Sequence, residues 1–298
     1  MNDLNLDAVD AVDAVDAVSE TLFIPLYALA LESQTQQPIV EDQEMVNLTE
    51  RLNQAFSKQD APIFRRLAGG GLPDLVVTSL ALRVRRYDRY VRDFLKRTPE
   101  GIVVNIGCGL DNRRNRVDNG QVRWYDIDLP AVIALRRRFF DETERFHFIP
   151  SSVLDFDWLD ELPDEPGRRF LFIAEGLFMY LAQDDVRKLV TTLLEHNRGS
   201  ELVAEVAHRK IVRIMNSRFG RGKFQRQFGL SEDVVYQCGL EDGTEIESWA
   251  RGLKLLDEWT YFDDDEPRLR WLRLFGLSNF CRHVQWTVHY RLGEISNL

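Results

Sequence analysis

Gly107, Cys108 and Gly109 form a glycine turn that follows directly on a short apolar run, residues 102–106. The run is too short for a helix and rich in β-branched residues, which predicts a strand buried on both faces. Glycines after such a strand allow a tight turn and a close approach of the backbone to a ligand. This combination is typical of nucleoside-binding α/β proteins, and an ordinary strand-to-helix turn is the alternative.

Two acidic residues, Asp126 and Asp128, follow the turn by about 20 residues, an offset at which an acidic side chain can accept hydrogen bonds from ribose hydroxyls. They lie at the end of a second β-type run. The turn departs from the G-x-G-x-x-G pattern because Asn112 occupies the third glycine position, which weakens a pyrophosphate site. The sequence therefore favours a nucleoside cofactor without phosphates, and S-adenosylmethionine is the leading candidate.

Further acidic residues follow the next two apolar runs. Asp155 comes shortly after the third run, and Glu175 comes directly after the fourth. A carboxylate buried without a partner is costly, so we expect Glu175 at the carboxyl end of its strand, facing a cation or a donor. Open parallel sheets bind ligands outside the carboxyl ends of their strands. Gly107, Asp128, Asp155 and Glu175 are therefore expected to converge on one crevice.

These stretches together resemble the leucine carboxyl methyltransferase family, in particular its bacterial branch of polyketide O-methyltransferases. The resemblance extends from about residue 19 to residue 292 and rests on segments in a fixed order: 19–22 with 26–28, 82–85 with Asp88, 105–111, 126–130, and 175–176 with 179–181. It implies a Rossmann-like class I methyltransferase fold of the α/β class. Such a fold has a seven-stranded, mostly parallel sheet with helices on both faces, an N-terminal helical cover and an inserted helical cap.

The resemblance also implies roles for single residues. Arg83 occupies the place of the arginine that holds the methionine carboxylate of the cofactor, a contact that a guanidinium makes well. Asp155 and Phe156 occupy the places that hold the adenine, and a turn cap is the alternative role of Asp155. Tyr27 lies on the helix that covers the active site in this family and is expected to contact the substrate. Tyr180 is expected to belong to the catalytic set.

In the glycine turn itself, Gly107 and Gly109 are the expected cofactor contacts. Two further sets of residues carry less specific signals. His208 follows the fifth strand at the same rim and is a candidate base, although a lone histidine is more often a structural hydrogen-bonding group. Within a basic cluster at 213–226, Arg221 and Arg226 are candidates for binding an anionic substrate, and a solvated face is the alternative.

The elements that position these residues follow from periodicity. Apolar or alternating runs predict seven strands, at 102–106, 122–126, 146–149, 169–174, 201–206, 253–261 and 284–292. Helical spacing of apolar residues predicts helices at 22–30, 80–97, 131–140, 184–196 and 267–277. The predicted organisation is an acidic, disordered leader and a single methyltransferase domain (1–18; 19–298). We divide the domain into a helical cover, a cofactor-binding core, a substrate cap and a final strand pair (19–78; 79–210; 211–250; 251–298).

Composition argues against several classes of protein. The 298-residue chain carries a formal net charge of −10, which opposes binding to nucleic acid and to anionic membranes. Its three cysteines are far apart and lack a metal spacing, so neither a disulfide framework nor a metal site is expected. Its longest apolar run is well short of the ~20 residues needed to cross a bilayer. We expect a cytoplasmic protein that is a monomer or a homodimer.

The predicted function is S-adenosylmethionine-dependent O-methylation of a small molecule, at a carboxylate or a phenolic hydroxyl of a polyketide-like metabolite. Methyl transfer is a one-step displacement, for which the protein mainly aligns the reacting atoms and excludes water. A carboxylate is ionised at neutral pH, whereas a phenol would need a base such as His208. Three alternatives remain: an NAD-type oxidoreductase, a protein C-terminal carboxyl methyltransferase, and a non-catalytic cofactor-binding module.

Overall fold

The computed structural model of the chain describes residues 22–56, 62–165, 167–217, 235–272 and 274–293. Within them one sheet is built from β1 (Ile102–Ile106), β2 (Arg123–Asp128), β3 (Phe146–Pro150), β4 (Phe170–Ala174), β5 (Ser200–Ala207), β6 (Leu253–Trp259) and β7 (Gln285–Leu292). The strand order is β3-β2-β1-β4-β5-β7-β6. β7 runs antiparallel to both of its neighbours, β5 and β6, and the other adjacent pairs of strands are parallel. The predicted α/β fold with a seven-stranded, mostly parallel sheet is confirmed.

Helices pack on both faces of this sheet. In the described residues they are α1 (Phe23–Ser33), α2 (Gln43–Phe56), α3 (Pro62–Ala68), α4 (Asp74–Arg97), α5 (Arg113–Val117), α6 (Pro130–Arg136), α7 (Gln183–His196), α8 (Arg209–Met215) and α9 (Asn279–Arg282). One apolar core joins the sheet to α1, α2, α4 and α6, and a second joins its opposite face to α7. Successive side chains of β1 alternate between these cores, Val103 in the first and Val104 in the second.

The order of the strands explains where a ligand site can form. β1 lies between β2 and β4 and pairs in parallel with both. The chain therefore moves outward on one side of β1 through β2 and β3, then crosses to the other side to form β4. In such open sheets the loops after the strands diverge at this point and leave a crevice at the carboxyl ends of the strands. The residues that follow β1, β2 and β4 are expected to line it.

Helix α4 is the element that brings charge to this crevice from outside the sheet. It begins after Pro73, six residues earlier than the apolar stripe predicts, and ends at Arg97. Tyr87, Val91 and other apolar residues of its stripe are buried against the sheet. Arg83 and Asp88 lie among these buried residues, so both must find partners inside the protein.

The structure corrects two of the predicted helices and leaves a third region partly undescribed. The helix predicted at 131–140 ends at Arg136, whose side chain turns inward to Asp126. The helix predicted at 267–277 is replaced by two 3₁₀ turns, Pro267–Leu272 and Phe275–Leu277, followed by α9. Of the cap predicted at 211–250, residues 218–234 lie outside the described residues, as does the leader at 1–18. In the part of the chain that the structure describes, no helix has the length and apolarity of a membrane span.

Glu201 on β5 has a depressed pKa and gives a pH-dependent contribution to stability. It accepts two hydrogen bonds from Arg97, at 2.6 and 3.0 Å, and lies 2.8 Å from His289 Nε2. Burial alone would raise the pKa of Glu201, but the contacts with His289 and Arg97 lower it to about 2. Because the pKa is lower in the folded than in the unfolded chain, this stabilisation is present above about pH 4.3 and is lost as the pH falls towards 2.

We expect Glu201→Gln to lower the free energy of unfolding by about 1–3 kcal/mol at pH 7. The difference from the wild-type protein should shrink as the pH is lowered from 5 to 3, because the wild-type carboxylate begins to take up a proton on unfolding. Urea denaturation at a series of pH values measures this difference. Glu195→Gln, at an exposed position of α7, is the control. A difference that does not change with pH would contradict the assignment.

Candidate active site

A cavity of about 830 Å³ lies at the carboxyl ends of β1, β2, β4 and β5. Its polar wall includes Gly107, Asp128 and Glu175, each at or just after the end of a strand, and Glu205 near the end of β5. The structure thus brings together three of the four residues that were expected to converge. Helices α1 and α4 add apolar side chains to the wall, and α4 also contributes Arg83.

The glycine turn after β1 requires glycine for its backbone conformation. Gly107 has φ +68° and donates its N–H to the Ile127 carbonyl oxygen at 2.8 Å. Gly109 has φ +52° and donates its N–H to Asp128 Oδ2 at 2.8 Å. Residues with a β-carbon rarely adopt these left-handed angles. The turn therefore holds its backbone against the cavity and fixes the Asp128 carboxylate at the same time.

On the expectation from the sequence that this cavity binds S-adenosylmethionine, Gly107→Ala should weaken that binding by about tenfold or more, because the left-handed turn lines the cavity. A β-carbon at Gly107 would lie 3.1 Å from Leu177 Cδ1, and Leu177 also lines the cavity. Gly120→Ala is the matched control, since Gly120 has φ +80° and a β-carbon there would meet nothing within 4 Å. Both variants should lose about 1 kcal/mol of stability from backbone strain. Calorimetric titration should show the affinity loss in Gly107→Ala only, and equal affinities would contradict it.

Asp126 and Asp128, of which the sequence analysis expected Asp128 in the crevice, have different environments. Asp128 lines the cavity, and its two oxygens accept the N–H groups of Gly109 and Leu129, each at 2.8 Å. Among the described residues no cation forms an ion pair with it, and burial raises its pKa. Asp126 is fully buried, away from the cavity wall, and pairs with Arg136 and with Trp124 Nε1. Asp128 is the carboxylate that can accept hydroxyl hydrogens from a ligand.

Arg83 and Glu175 meet in the cavity wall. Arg83 Nε donates to Glu175 Oε1 at 2.7 Å, and Arg83 Nη1 donates to both carboxylate oxygens of Glu205, at 3.0 and 2.8 Å. Arg83 Nη2 lies 3.9 Å from the position that a β-carbon on Gly176 would take, and none of the hydrogen bonds to described residues uses it. This nitrogen is the Arg83 donor that remains for a ligand carboxylate.

The sequence analysis did not identify Arg113, a buried cation near the cavity that pairs with three carboxylates. Its side chain is 1% exposed and contacts the carboxylates of Asp88, Asp111 and Glu175. Burial alone would raise the pKa of Asp111, but the charges of Arg113 and Arg116 hold this pKa below its ordinary value. A signal was present, because Arg113 begins α5 and a cation is unfavourable at a helix N-terminus unless a carboxylate compensates it.

Glu205 on β5 was also missed. It is fully buried and accepts hydrogen bonds from Arg83, from Tyr261 Oη at 3.2 Å and from Gln285 Nε2 at 2.6 Å. Burial raises the pKa of Tyr261, and the neighbouring carboxylate of Glu205 raises it further, so this hydroxyl stays protonated. The signal was an acidic residue inside an apolar strand, which is the same argument that identified Glu175.

Carboxylates outnumber guanidinium groups on the described part of the cavity wall. The acidic residues are Asp111, Asp128, Glu175, Glu205, Asp264 and Glu266, and the basic residues are Arg83 and Arg282. The net surplus is smaller than the lining suggests, because Arg113, Arg85 and Arg268 lie outside the lining and pair with Asp111, Asp264 and Glu266. Asp128 has no ion-pair partner among the described residues, and this remaining negative charge favours a ligand with a net positive charge. The rest of the wall is largely apolar and includes Leu22, Leu26, Leu29, Leu80, Leu269 and Leu272. A charged region and an apolar chamber therefore belong to one cavity.

Asp155 and Phe156 are not brought to the cavity wall. Asp155 is exposed, and the residues that line the cavity here are the three before it, Ser152, Val153 and Leu154. Phe156 has φ +62° and packs in the core on the α7 side, where Lys188 Nζ lies 4.9 Å from its ring centroid. The loop after β3 therefore reaches the cavity, but it does so through residues 152–154, which precede Asp155 and Phe156.

Tyr180 lies in the cavity wall, whereas Tyr27 and His208 do not. Tyr27 is buried in the core and donates its hydroxyl to Asn53 Oδ1 at 2.5 Å. His208 caps α8, where its Nδ1 accepts the Lys210 N–H at 3.2 Å. Burial lowers the pKa of His208. The imidazole nitrogen that a base would use is thus engaged in the helix cap, away from the wall. Neither residue is positioned for the role expected from the sequence.

The remaining predicted substrate-binding residues, Arg221 and Arg226, lie outside the described residues. At the start of the same basic cluster, Arg213 is exposed on α8. Among the described residues of the cavity wall, the cation besides Arg83 is Arg282, which pairs with Asp263. Binding of an anionic substrate by the cluster stays a prediction.

The strand order, the glycine turn and the crevice with an acidic residue after β2 define an α/β protein of the Rossmann-like methyltransferase class. The profile of the family described as leucine carboxyl methyltransferase matches residues 23–194. The chain belongs to this family and is a methyltransferase. The family and the enzyme class predicted from the sequence are confirmed.

Two curated relatives and one solved structure illustrate the similarity. The tetracenomycin polyketide synthesis O-methyltransferase TcmP of Streptomyces glaucescens is 28% identical over 259 residues, covering 85% of this chain and 88% of the relative. The S-adenosyl-L-methionine-dependent methyltransferase dpfgK of Gibberella zeae is 30% identical over 194 residues, covering 63% and 64%. The crystal structure of a duf574 family protein from Streptomyces avermitilis matches with a TM-score of 0.53 at 15% identity, over 91% of this chain and 96% of that one. This structural likeness supports the fold.

Proposed function

We propose that this methyltransferase transfers a methyl group from S-adenosylmethionine to an oxygen atom of a small, polyketide-like molecule, at a carboxylate or a phenolic hydroxyl. Its cofactor is S-adenosylmethionine, the cofactor that the name of the dpfgK relative states. The small-molecule acceptor is proposed by similarity to TcmP, whose name assigns it to polyketide synthesis. One observation carries the proposal: a charged wall at the strand ends is continuous with an apolar chamber in a single cavity.

The charged wall fits the cofactor group by group. Asp128 can accept the ribose hydroxyls, because both its oxygens keep lone pairs beyond those used by the two backbone N–H groups. Glu175 can receive the α-ammonium, and Arg83 Nη2 can donate to the carboxylate. The cofactor has a net positive charge, which the surplus of carboxylates on the wall favours. We assign the adenine to the wall formed by residues 152–154 rather than to Asp155 and Phe156.

The apolar chamber suits an aromatic or alicyclic acceptor. When bound, S-adenosylmethionine supplies a methyl group on a positively charged sulfur, ready for displacement by an oxygen nucleophile. The chain's own contribution is to exclude water through side chains such as Leu29, Leu80 and Leu272 and to hold the acceptor oxygen in line. Among the described residues of the wall there is no histidine. This favours a carboxylate acceptor, since a carboxylate is already ionised at neutral pH.

A labelling experiment tests the proposal. The purified protein is incubated with cofactor carrying an isotopically labelled methyl group and with metabolites extracted from the source cells. We expect a small molecule that gains the labelled methyl group together with stoichiometric S-adenosylhomocysteine. Mass spectrometry identifies the acceptor, and hydrolysis by mild base distinguishes a methyl ester from an aryl methyl ether. The Arg83→Met variant is the control for enzyme-dependent labelling.

Each alternative function predicts a different result. Label confined to a protein band would indicate a protein carboxyl methyltransferase. Cofactor binding without S-adenosylhomocysteine formation in any extract would indicate a binding module. Binding of NAD in place of S-adenosylmethionine would indicate an oxidoreductase. Any of these three results would overturn the proposed small-molecule O-methyltransferase.

A further inference from the structure

Arg113 connects three elements of the fold through one guanidinium group. Its Nε donates to Asp88 Oδ1 of α4 at 3.0 Å, and its Nη1 donates to Asp111 Oδ2 of the glycine turn at 2.6 Å. Its Nη2 donates to Glu175 Oε2 after β4. A guanidinium presents its donors in a rigid plane, so three carboxylates bound to it are fixed relative to each other. Arg113 itself does not line the cavity, whereas Glu175 does.

Glu175 is held from two sides. Arg83 Nε donates to its Oε1 at 2.7 Å, and Arg113 Nη2 donates to its Oε2. Each carboxylate oxygen has about two lone-pair sites, so one site on each oxygen remains for a ligand. Two rigid donors from different elements leave the carboxylate little rotational freedom. The orientation of the remaining lone pairs towards the cavity is thus determined by these two arginines.

The positive charge of Arg113 cannot by itself strengthen the binding of an ammonium group to Glu175. A cation next to Glu175 reduces the attraction of that carboxylate for an ammonium group. The cluster compensates for this, because four carboxylates surround the two guanidinium groups, namely Asp88, Asp111, Glu175 and Glu205. Electrostatics alone predicts that loss of Arg113 would strengthen ammonium binding at Glu175. An orienting role predicts the opposite, so the sign of the effect separates the two explanations.

We propose that Arg113 is a positioning residue for the amino-acid end of the cofactor, acting through Glu175. It holds the Glu175 carboxylate in the orientation that receives the α-ammonium group. This inference rests on the proposed function, because it assumes that the ligand is an S-adenosyl compound. It assigns to a residue away from the cavity wall a share of the recognition of one end of the ligand.

Two ligands that differ only in the amino-acid end test the proposal. S-adenosylhomocysteine carries the α-ammonium and α-carboxylate, whereas 5′-methylthioadenosine has the same adenosine and thioether without them. Isothermal titration calorimetry measures both affinities for the wild-type protein and for Arg113→Lys and Arg113→Met. We expect the affinity for S-adenosylhomocysteine to fall by about tenfold in Arg113→Lys and more in Arg113→Met. The affinity for 5′-methylthioadenosine should change less than about twofold.

Arg116 provides a matched control on the same helix. It is a largely buried arginine that shares Asp88, at 2.9 Å, and Asp111, at 3.6 Å, with Arg113 and also pairs with Asp42 at 2.6 Å, but it does not contact Glu175. Arg116→Met removes a comparable buried guanidinium and should affect both ligands equally. If Arg113→Met does not fold, Arg113→Lys carries the test, because lysine keeps the positive charge but cannot hold three carboxylates in one plane as the guanidinium does. The double variant Arg113→Lys/Glu175→Gln should lose less than the sum of the two single effects.

The possible outcomes separate the inference from the proposed function. An equal loss of both ligands in Arg113→Lys would show a merely structural role and would overturn the inference. Tighter binding of S-adenosylhomocysteine would show that only the charge matters, and this also overturns it. A wild-type protein that binds neither ligand would instead overturn the proposed function. Selective loss of the ligand with the amino-acid end supports both.

Discussion

Arg83→Met is expected to abolish measurable binding of S-adenosylmethionine, with an affinity at least about 100-fold weaker than that of the wild-type protein. The substitution removes the donor nearest to the expected cofactor carboxylate. It also removes one of the two arginines that hold Glu175, and it leaves the fully buried Glu205 with Tyr261 and Gln285 as its hydrogen-bond donors among the described residues. Removing one partner of a buried ion pair costs about 3–5 kcal/mol of stability. Calorimetry and chemical denaturation measure the two effects separately.

A second substitution separates lost binding from lost stability. In Arg83→Met/Glu205→Gln the buried carboxylate without a cation is removed, while Tyr261 and Gln285 can still hydrogen-bond the amide oxygen. We expect the double variant to regain most of the stability and none of the cofactor affinity. If the double variant binds S-adenosylmethionine normally, the loss in the single variant was caused by misfolding. Arg83 would then not be a cofactor-binding residue.

The fold could be predicted well because most of its strands are short apolar runs ended by turn residues. β1 was predicted at its exact bounds, 102–106, since a continuous β-branched run followed by a glycine turn leaves little choice. The helix predicted at 267–277 was wrong because its apolar residues, such as Leu274 and Leu277, are exposed and do not form a buried stripe. Periodicity indicates a helix only where a core faces it.

Residues of the cavity wall could be predicted where a residue lies at the end of a strand or directly after it. Gly107, Asp128 and Glu175 belong to this group. Asp126 lies two residues before Asp128 and therefore on the same face of β2, so alternation could not separate them. The two residues differ in how far they lie from the end of β2. Asp126 is flanked by Asn105 of β1 and Phe148 of β3, whereas Asp128 is the last residue of the strand. The position of the end of β2 in the structure places Asp128, and not Asp126, in the cavity wall.

The rest of the site depends on contacts between residues far apart in the chain, which a single sequence does not reveal. Arg83 meets Glu205 across 122 positions, and Arg113 meets Glu175 across 62. The position of Tyr27 depends on which face of α1 meets the cavity. Successive residues of α1 are rotated by about 100°, so the helix presents Leu26 to the cavity and directs Tyr27 into the core.

Asp128→Asn should mainly weaken cofactor binding and Asp126→Asn should mainly lower stability, although the two residues are only two positions apart in one strand. Asp128→Asn should weaken cofactor binding by about 10- to 100-fold, because a neutral amide accepts less strongly from the ribose hydroxyls. Its effect on stability at pH 7 should be small, because the loss of one of two backbone hydrogen bonds is offset by removal of a buried carboxylate that has no paired cation. Asp126→Asn leaves Arg136, which is 1% exposed, without its carboxylate and should cost about 3–5 kcal/mol.

The pH dependence provides an independent check on Asp128. Because its pKa is raised in the folded protein, the folded state takes up this proton first as the pH falls, and the wild-type protein is stabilised relative to Asp128→Asn. Relative to Asp128→Asn, the wild-type protein should therefore gain stability as the pH is lowered from 7 towards 4. Urea denaturation between pH 7 and 4 measures it. A stability difference that does not change with pH would contradict the raised pKa of Asp128. An affinity loss in Asp126→Asn as large as that in Asp128→Asn would contradict the assignment of the ribose to Asp128.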